Sequence, residues 1–248
     1  MLNIPFLSKG RQPDFAASAE QGGLLIVGSN GQPLHLVPPK VAAELRFLVA
    51  RLQANPLDIP PSLAVTSALS GEGVTFVARS LAALVAHDLN RSVCVIETNW
   101  WRAATRRRSA PVEQRAGLAE VLAGVIDLDD ALVTTNDSRL SILPAGQAPL
   151  ARRPVIVASD AFSAVIRKIA ARFDMVVVDC PPVLKASEAI TICRQCESAI
   201  LVVRHGVTSE RQVRQAIHEL AGVDVLGLLL NGSATRVPRS LRRFTVDD

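Results

Sequence analysis

The segment formed by residues 62–79 constrains the fold of this chain more than any other part of the sequence. Residues 63–66 are mostly apolar and predict a buried strand, and a loop of small residues follows at 67–73. From Thr75 onward, apolar residues recur at helical spacing. This order of strand, glycine-containing loop and helix is typical of phosphate-binding loops, in which backbone N–H groups at a helix N-terminus face an anion.

The predicted loop lacks the cation that such loops use. Val74 stands where a lysine normally reaches the β- and γ-phosphates, while Thr75 keeps the hydroxyl that ligates magnesium. We therefore expect ATP and magnesium to bind weakly at best. The predicted nucleotide-binding residues are Gly71, Glu72, Gly73, Thr75 and Phe76.

Strands alternate with helices over most of the chain. This alternation predicts an α/β fold with a mostly parallel sheet and helices on both of its faces. Residues 1–39 are interpreted as a partly ordered N-terminal arm with one short strand at 24–27, residues 40–235 as the main domain, and residues 236–248 as a basic tail. The predicted strands of the domain are 63–66, 92–96, 139–143, 175–179, 199–203 and 225–230, and its helices are 41–52, 76–87, 118–124, 161–171, 187–194 and 210–221.

Two further strand ends carry polar side chains. The apolar strand at 175–179 ends in Asp179, and the strand at 92–96 is followed by Glu97 and Asn99. Parallel sheets bind ligands at the carboxyl ends of their strands. Asp179 is predicted to hold magnesium through its water shell opposite Thr75, and the alternative is that it caps the next helix.

Composition narrows the choice of partners and compartment. The net charge of +4 comes mainly from arginine, but only 4% of residues are aromatic, which argues against a base-stacking nucleic-acid surface. For the arginine clusters, an anionic membrane face, an acidic partner or solvated loops remain alternatives.

No apolar run reaches the roughly 18 residues of a membrane span. Four scattered cysteines indicate a reducing, cytoplasmic compartment, and Cys193 and Cys196 are interpreted as helix thiols and not as metal ligands.

The three loops, in this order, resemble the bacterial tyrosine autokinases of capsule and exopolysaccharide export, a P-loop NTPase-like family related to cell-division positioning ATPases. The resemblance extends over most of the domain. Leu69 stands where the positioning ATPases carry a signature lysine, which disfavours that branch. Further family motifs are matched by G-L-x-x-V-L-x-G at 117–124, L-P-A-G at 143–146, P-P-V-L at 181–184 and L-G-x-x-L-N-G at 226–232.

The departures from the family pattern fall on its chemistry. The resemblance implies two aspartates in the second loop, which order the metal and deprotonate the attacking hydroxyl; Glu97 and Asn99 replace them. An amide cannot accept that proton, and Glu97 reaches farther than aspartate, so a metal role would need the loop to shift. No catalytic residue is therefore assigned, and Val74, Glu97 and Asn99 are degenerate positions. The chain has no tyrosine, which excludes tyrosine autophosphorylation.

These observations predict a pseudokinase of exopolysaccharide (capsule or adhesin) biosynthesis and export. It is expected to be a cytoplasmic protein at the periphery of the inner membrane. Its expected role is that of a regulatory adaptor of a membrane polysaccharide co-polymerase or export protein, and the formation of a homo-oligomer is left open. The docking segment is predicted at residues 100–108 through exposed Trp100 and Trp101, although these side chains could instead pack over the nucleotide pocket or against a neighbouring helix. The alternatives are an active ATPase or kinase that uses Arg79, Lys185 or a neighbouring subunit as the source of its cation, and a cell-positioning factor.

Overall fold

A sheet of eight strands lies at the centre of the protein in our computed structural model, which describes residues 2–4, 22–53, 60–100 and 116–232. Its strand order is β1-β10-β9-β4-β8-β5-β7-β6, and every neighbouring pair is parallel except β6 with β7. The remaining two strands, β2 and β3, form an antiparallel hairpin. The strands are β1 (Leu2–Ile4), β2 (Leu24–Val27), β3 (Pro33–Val37), β4 (Ser62–Ser67), β5 (Val93–Glu97), β6 (Val133–Thr134), β7 (Leu140–Leu143), β8 (Met175–Asp179), β9 (Ser198–Arg204) and β10 (Asp224–Asn231).

Helices cover both faces of the sheet. The two longest are α1 and α2, and α2 follows the loop after β4. The described helices are α1 (Pro39–Gln53), α2 (Val74–Leu89), α3 (Leu118–Leu122), α4 (Leu128–Ala131), α5 (Arg153–Val157), α6 (Asp160–Ala170), α7 (Glu188–Cys193) and α8 (Glu210–Glu219), with a 3-10 turn at Leu150–Arg152.

The central strands are buried along their whole length. Every residue of β4, β5 and β8 is buried, because helices pack against both faces and parallel strands in this setting have nearly continuous apolar sequences. The predicted mostly parallel α/β sheet is therefore confirmed. Each strand and helix predicted from the sequence is present, and most of their ends differ by one or two residues.

Two apolar layers flank the sheet. One contains the buried face of α2 together with residues of the hairpin and of α1, and Val74 belongs to this layer. The other packs α5, α6 and α7 against the opposite face. Among the described residues, no helix is long and apolar enough to cross a lipid bilayer.

The hairpin of β2 and β3 joins one end of the sheet to helix α2. Gly28 pairs with Thr135 in a single antiparallel bridge, and the backbone N–H of Val27 donates to Asn136 Oδ1 at 2.8 Å. On the other side, His35 Nε2 lies 2.7 Å from Ser80 Oγ of α2. The short strand expected at 24–27 is confirmed, and its partner β3 was not predicted, because the glycine, asparagine, glutamine and proline residues around it favour a loop.

Candidate nucleotide site

Three adjacent strands, β4, β8 and β5, end at the same edge of the sheet. The register pairs Glu97 at the end of β5 with Asp179 at the end of β8, so their side chains leave the sheet on the same face. The loop after β4 lies beside them, because β4 pairs with β8 on its other side. The fold therefore brings together the three loops that the sequence singled out.

Two glycines of the loop after β4 have backbone angles that L-residues rarely adopt. Gly71 has φ 84° and Gly73 has φ 97°, in the left-handed region. A Cβ atom on Gly73 would also overlap the side-chain amide nitrogen of Asn231, whereas one on Gly71 would meet open space. The loop shape therefore requires glycine at position 73, where the backbone carbonyl accepts from Val77 N at 3.0 Å in the first turn of α2.

The carboxylate of Glu72 points into the protein. One of its oxygens accepts from the backbone N–H of Leu69 at 2.5 Å, and the other accepts from the N–H of Arg204 at 3.0 Å and from the hydroxyl of Thr208. Asn231 Nδ2 donates to the carbonyl of Glu72 at 2.7 Å. Through these bonds Glu72 anchors the phosphate loop to β9 and β10, and its predicted contact with nucleotide stays a prediction.

Val74 is only 7% exposed and lies in the apolar layer on the α2 side of the sheet. A lysine at this position of a phosphate loop would supply positive charge to bound phosphates, and valine supplies none. Nearby, the ring of Phe76 packs edge-on against His35 of the hairpin, with 5.1 Å between ring centroids. The first turn of α2 is therefore connected to the hairpin as well as to the loop.

Thr75 and Asp179 lie together at the start of α2. Thr75 Oγ1 donates a 2.6 Å hydrogen bond to Asp179 Oδ2, and both residues are buried. The backbone of Asp179 is fixed from β5, because the N–H and hydroxyl of Thr98 both donate to its carbonyl, at 3.0 and 2.8 Å. A hydroxyl and a carboxylate in this arrangement are oxygen donors of the kind that magnesium prefers, so these two residues fit the cation.

Glu97 occupies a different environment. Arg79 of α2 donates from Nε at 2.8 Å and also from Nη2 to Glu97 Oε1, and the two side chains are 13% and 9% exposed. Arg79 Nη1 also donates to the carbonyl of Leu34 at 3.4 Å. Glu97 and Arg79 therefore neutralise each other. Two residues after Glu97, Asn99 Oδ1 is buried and has no hydrogen-bond partner among the described residues.

Trp100 is buried, which corrects the prediction that it is exposed at a docking segment. Its side chain is 1% exposed, and Nε1 donates to the carbonyl of Ala145 at 2.8 Å. The indole fills space between the loop after β5 and the loop after β7, as expected for a large aromatic side chain with a single donor. Residues 101–108, the rest of the predicted docking segment, lie outside the described residues.

Arg153 is a buried cation that sequence reasoning missed. It donates from Nε to the carbonyl of Ala148 at 3.2 Å and from Nη2 to the carbonyl of Trp100 at 3.3 Å. Burial lowers the pKa of Arg153, and the carboxylate of Glu188 partly offsets that shift. Nothing in the local pattern of residues 150–157 distinguishes this arginine from the exposed Arg152 beside it.

The described cysteines are buried or partly buried thiols. Burial raises the pKa of Cys94 to about 12, and burial together with neighbouring thiols raises the pKa values of Cys180 and Cys196. Cys94, Cys180 and Cys196 are therefore protonated and unreactive at neutral pH. In the part of the chain that the structure describes, no three histidine, cysteine or acidic side chains are grouped in a way that could hold a metal ion.

Comparisons with known proteins agree with this geometry. The family model of the cellulose biosynthesis protein BcsQ matches residues 61–231. The tyrosine-protein kinase CpsD of Streptococcus agalactiae serotype III (strain NEM316) is 30% identical over 174 residues, which cover 68% of this chain and 73% of CpsD. The tyrosine-protein kinase etk of Escherichia coli (strain K12) is 28% identical over 236 residues, 94% of this chain, but the match spans only 29% of the length of etk.

Solved structures show the same fold. The kinase domain of Escherichia coli tyrosine kinase ETK has a TM-score of 0.73 at 24% identity, with 96% of this chain and 91% of that domain covered. Cobyrinic acid a,c-diamide synthase from Mycobacterium smegmatis, solved with bound ATP analog and magnesium, has a TM-score of 0.59 at 21% identity, with 72% and 75% covered. At these identities the likeness concerns the fold alone.

Proposed function

The chain belongs to the family that the cellulose biosynthesis protein BcsQ model describes and to the bacterial tyrosine-protein kinases, and on that premise we propose that it is a pseudokinase of exopolysaccharide biosynthesis and export. Its role is that of a regulatory adaptor for a membrane polysaccharide co-polymerase. The observation that carries the proposal is the buried Val74, which fills an apolar layer at the position of the phosphate lysine while the loop around it keeps its shape.

The missing charge has a large cost for phosphoryl transfer. Catalysis of this reaction rests on positioning and on cations that stabilise the charge of the transferred group. An ion pair at about 4 Å contributes about 4 kcal/mol at an effective dielectric constant near 20, before desolvation is subtracted. Val74 contributes none of this, and Asn99 cannot act as a base, since an amide has no proton-accepting pKa in the useful range.

The alternative of an active ATPase or kinase needs a substitute cation. Arg79 donates hydrogen bonds to Glu97 and to the carbonyl of Leu34, so its guanidinium is already engaged and is a poor substitute for the phosphate lysine. Lys185 is exposed on the loop after β8 and is the remaining candidate named by the sequence. Tyrosine autophosphorylation of this chain is excluded under both the pseudokinase proposal and the active-enzyme alternative, because the chain has no tyrosine.

Weak nucleotide binding is part of the proposal. Gly71 and Gly73 preserve the backbone shape that presents N–H groups to phosphates, and Thr75 with Asp179 would hold magnesium. Bound magnesium would supply charge compensation for the phosphates. The cobyrinic acid a,c-diamide synthase is a protein of this fold that holds an ATP analog and magnesium, which supports the same use of the loop here.

The hydrolysis test compares restored variants with the natural chain. We expect steady-state phosphate release at background level from the natural chain and from Val74→Lys, because the second loop still lacks both aspartates. Combining Val74→Lys with Glu97→Asp and Asn99→Asp should produce measurable turnover, and adding Asp179→Asn to that combination should abolish it. Robust turnover by the natural chain or by Val74→Lys alone would overturn the pseudokinase proposal.

The adaptor role is tested by fractionation of cells. We expect the protein in the membrane fraction of a host that has its polysaccharide co-polymerase, and in the soluble fraction of the same host without it. As a control, deletion of a membrane protein that serves another process should leave the distribution of this protein between the two fractions unchanged. A protein that stays soluble in both hosts, or membrane-bound in both, would contradict the proposed partner.

A further inference from the structure

The two carboxylates at the ends of β5 and β8 are in unlike surroundings. Asp179 accepts from the hydroxyl of Thr75 at 2.6 Å, a neutral donor that a magnesium ion can share as a ligand. Glu97, its register partner, accepts from a guanidinium. The fold family implies a metal at this edge of the sheet, and Glu97 does not fit that metal, because a cation already faces its carboxylate.

We propose that Arg79 is the permanent counter-ion of Glu97 and takes, at this carboxylate, the place that a divalent cation holds in a working site of this fold. Glu97 is therefore a positioning residue and not a metal ligand. The inference deepens the proposed function, since it rests on the same site and explains why a retained carboxylate does not make the site competent.

Burial and geometry make this ion pair persistent. Nε at 2.8 Å and Nη2 of Arg79 converge on one oxygen of Glu97, and the two side chains are 13% and 9% exposed. Charge-assisted hydrogen bonds of this kind are stronger than neutral ones, and a partly desolvated pair is screened less by salt than a surface pair. A guanidinium is not deprotonated in proteins, so loss of its charge does not release the carboxylate.

A divalent cation would have to displace the guanidinium to reach Glu97. The displaced Arg79 would then remain close to the ion, and two cations in a poorly solvated corner repel each other strongly. The displaced Arg79 would also lose its charge-assisted hydrogen bonds to Glu97 in a largely buried position, which is costly. Both effects oppose metal binding at Glu97.

Arg79 also connects three elements of the fold. It belongs to α2, its guanidinium holds the end of β5 through Glu97, and Nη1 donates to the carbonyl of Leu34 in β3 at 3.4 Å. On the same helix, the adjacent Ser80 and Phe76, one turn earlier, contact His35 of the same hairpin. The ion pair therefore positions the loop after β5 relative to the hairpin, which a bound metal ion would not do.

The first experiment measures Mn²⁺ binding without nucleotide, by electron paramagnetic resonance of free Mn²⁺. We expect the natural chain and the double variant Arg79→Met/Glu97→Gln to have the same Mn²⁺ affinity within about threefold, because the double variant removes the whole ion pair and leaves no charge unbalanced beside Asp179. A tenfold or greater loss of Mn²⁺ affinity in the double variant would overturn the proposal. The control is Asp179→Asn, which removes the carboxylate predicted to hold magnesium and should lower the Mn²⁺ affinity by tenfold or more.

The second experiment is a double-mutant cycle on urea unfolding with Arg79→Met and Glu97→Gln. Each single variant should raise the unfolding equilibrium constant by about 10- to 100-fold, because it breaks a largely buried ion pair. In the double variant the unfolding equilibrium constant should rise at least tenfold less than the product of the two single-variant increases. Additive effects would overturn the proposal.

The control pair is Arg46 with Asp88, which joins α1 to α2 and has the same type of cation, but has side chains that are 52% and 21% exposed. The corresponding cycle with Arg46→Met and Asp88→Asn should give a coupling below about threefold. Because neither experiment uses ATP, failure of this inference is distinguishable from failure of the proposed function. If Arg79→Met alone does not fold, the Mn²⁺ titration of the double variant still decides.

Discussion

The loop after β4 and the loop after β5 combine backbone shape and charge in opposite ways. The first keeps the backbone shape of a phosphate loop but has valine at the lysine position, and Val74 is packed into the core. The second keeps a carboxylate at Glu97, but Arg79 neutralises it. The difference shows that the shape of a binding loop and the charge it presents are maintained by different residues, so one can be lost without the other.

The residues that shape the first loop face inward. Glu72 bonds to the backbone of Leu69 and Arg204, and Asn231 reaches from β10 to the carbonyl of Glu72. These contacts tie α2 to the sheet and do not depend on a bound nucleotide. Loss of the lysine therefore leaves the loop intact, whereas changes to these anchors are expected to unfold it.

The largest expected effect concerns the anchor of the second loop. Trp100→Ala should lower the free energy of unfolding by about 3–5 kcal/mol, because it empties a buried site and removes the donor to Ala145. Urea unfolding measures this loss, and Trp100→Phe should recover part of it. Unchanged stability of Trp100→Ala would mean that this loop is not held by core packing.

The next effect concerns the shape of the first loop. Gly73→Ala should destabilise the protein by about 2–3 kcal/mol, since alanine is strained at φ 97° and its Cβ would overlap the side chain of Asn231. Gly71→Ala, with φ 84° and open space around it, should cost only about 1 kcal/mol by the same urea measurement. Equal costs for the two variants would contradict the anchoring role of Asn231.

A somewhat smaller effect is expected where the two loops meet at Asp179. Thr75→Val should lower the free energy of unfolding by about 1.5–2 kcal/mol, because the buried carboxylate loses the hydroxyl that donates to it at 2.6 Å. Thr75→Ser keeps a hydroxyl and should retain most of the stability. If serine and valine variants are equally stable, the hydrogen bond contributes nothing and the two loops are not coupled through it.

The smallest effect lies at the Arg46–Asp88 pair, away from both loops. The hydrogen bond from Arg46 holds the pKa of Asp88 below its usual range, so the pair stabilises the fold above about pH 4 and this contribution is lost as pH falls through the lowered pKa. Arg46→Met should cost at most about 0.5 kcal/mol at pH 7 and less as the pH falls through the lowered pKa of Asp88, measured by urea unfolding. A larger cost at the lower pH would contradict this sign.

The scaffold was predictable from the sequence because its signals are local. The strand at Met175–Asp179 was predicted to the residue, and the glycines of the first loop were recognised by their spacing before the helix. The pairing of Arg79 with Glu97 was not, because 18 residues separate them and only the packing of α2 against β5 brings them together. The burial of Trp100 similarly depends on Ala145, 45 residues away.

Calorimetric titration with MgATP tests the central claim most directly, that the first loop retains its shape but lacks the charge for nucleotide. We predict that MgATP does not saturate the natural chain below about 1 mM, a dissociation constant that corresponds to a binding free energy of about −4 kcal/mol. Val74→Lys should bind MgATP at least about tenfold more tightly. Val74→Leu, which changes volume without adding charge, should bind no better than the natural chain. Micromolar binding of MgATP by the natural chain, unaffected by Val74→Lys, would contradict the claim.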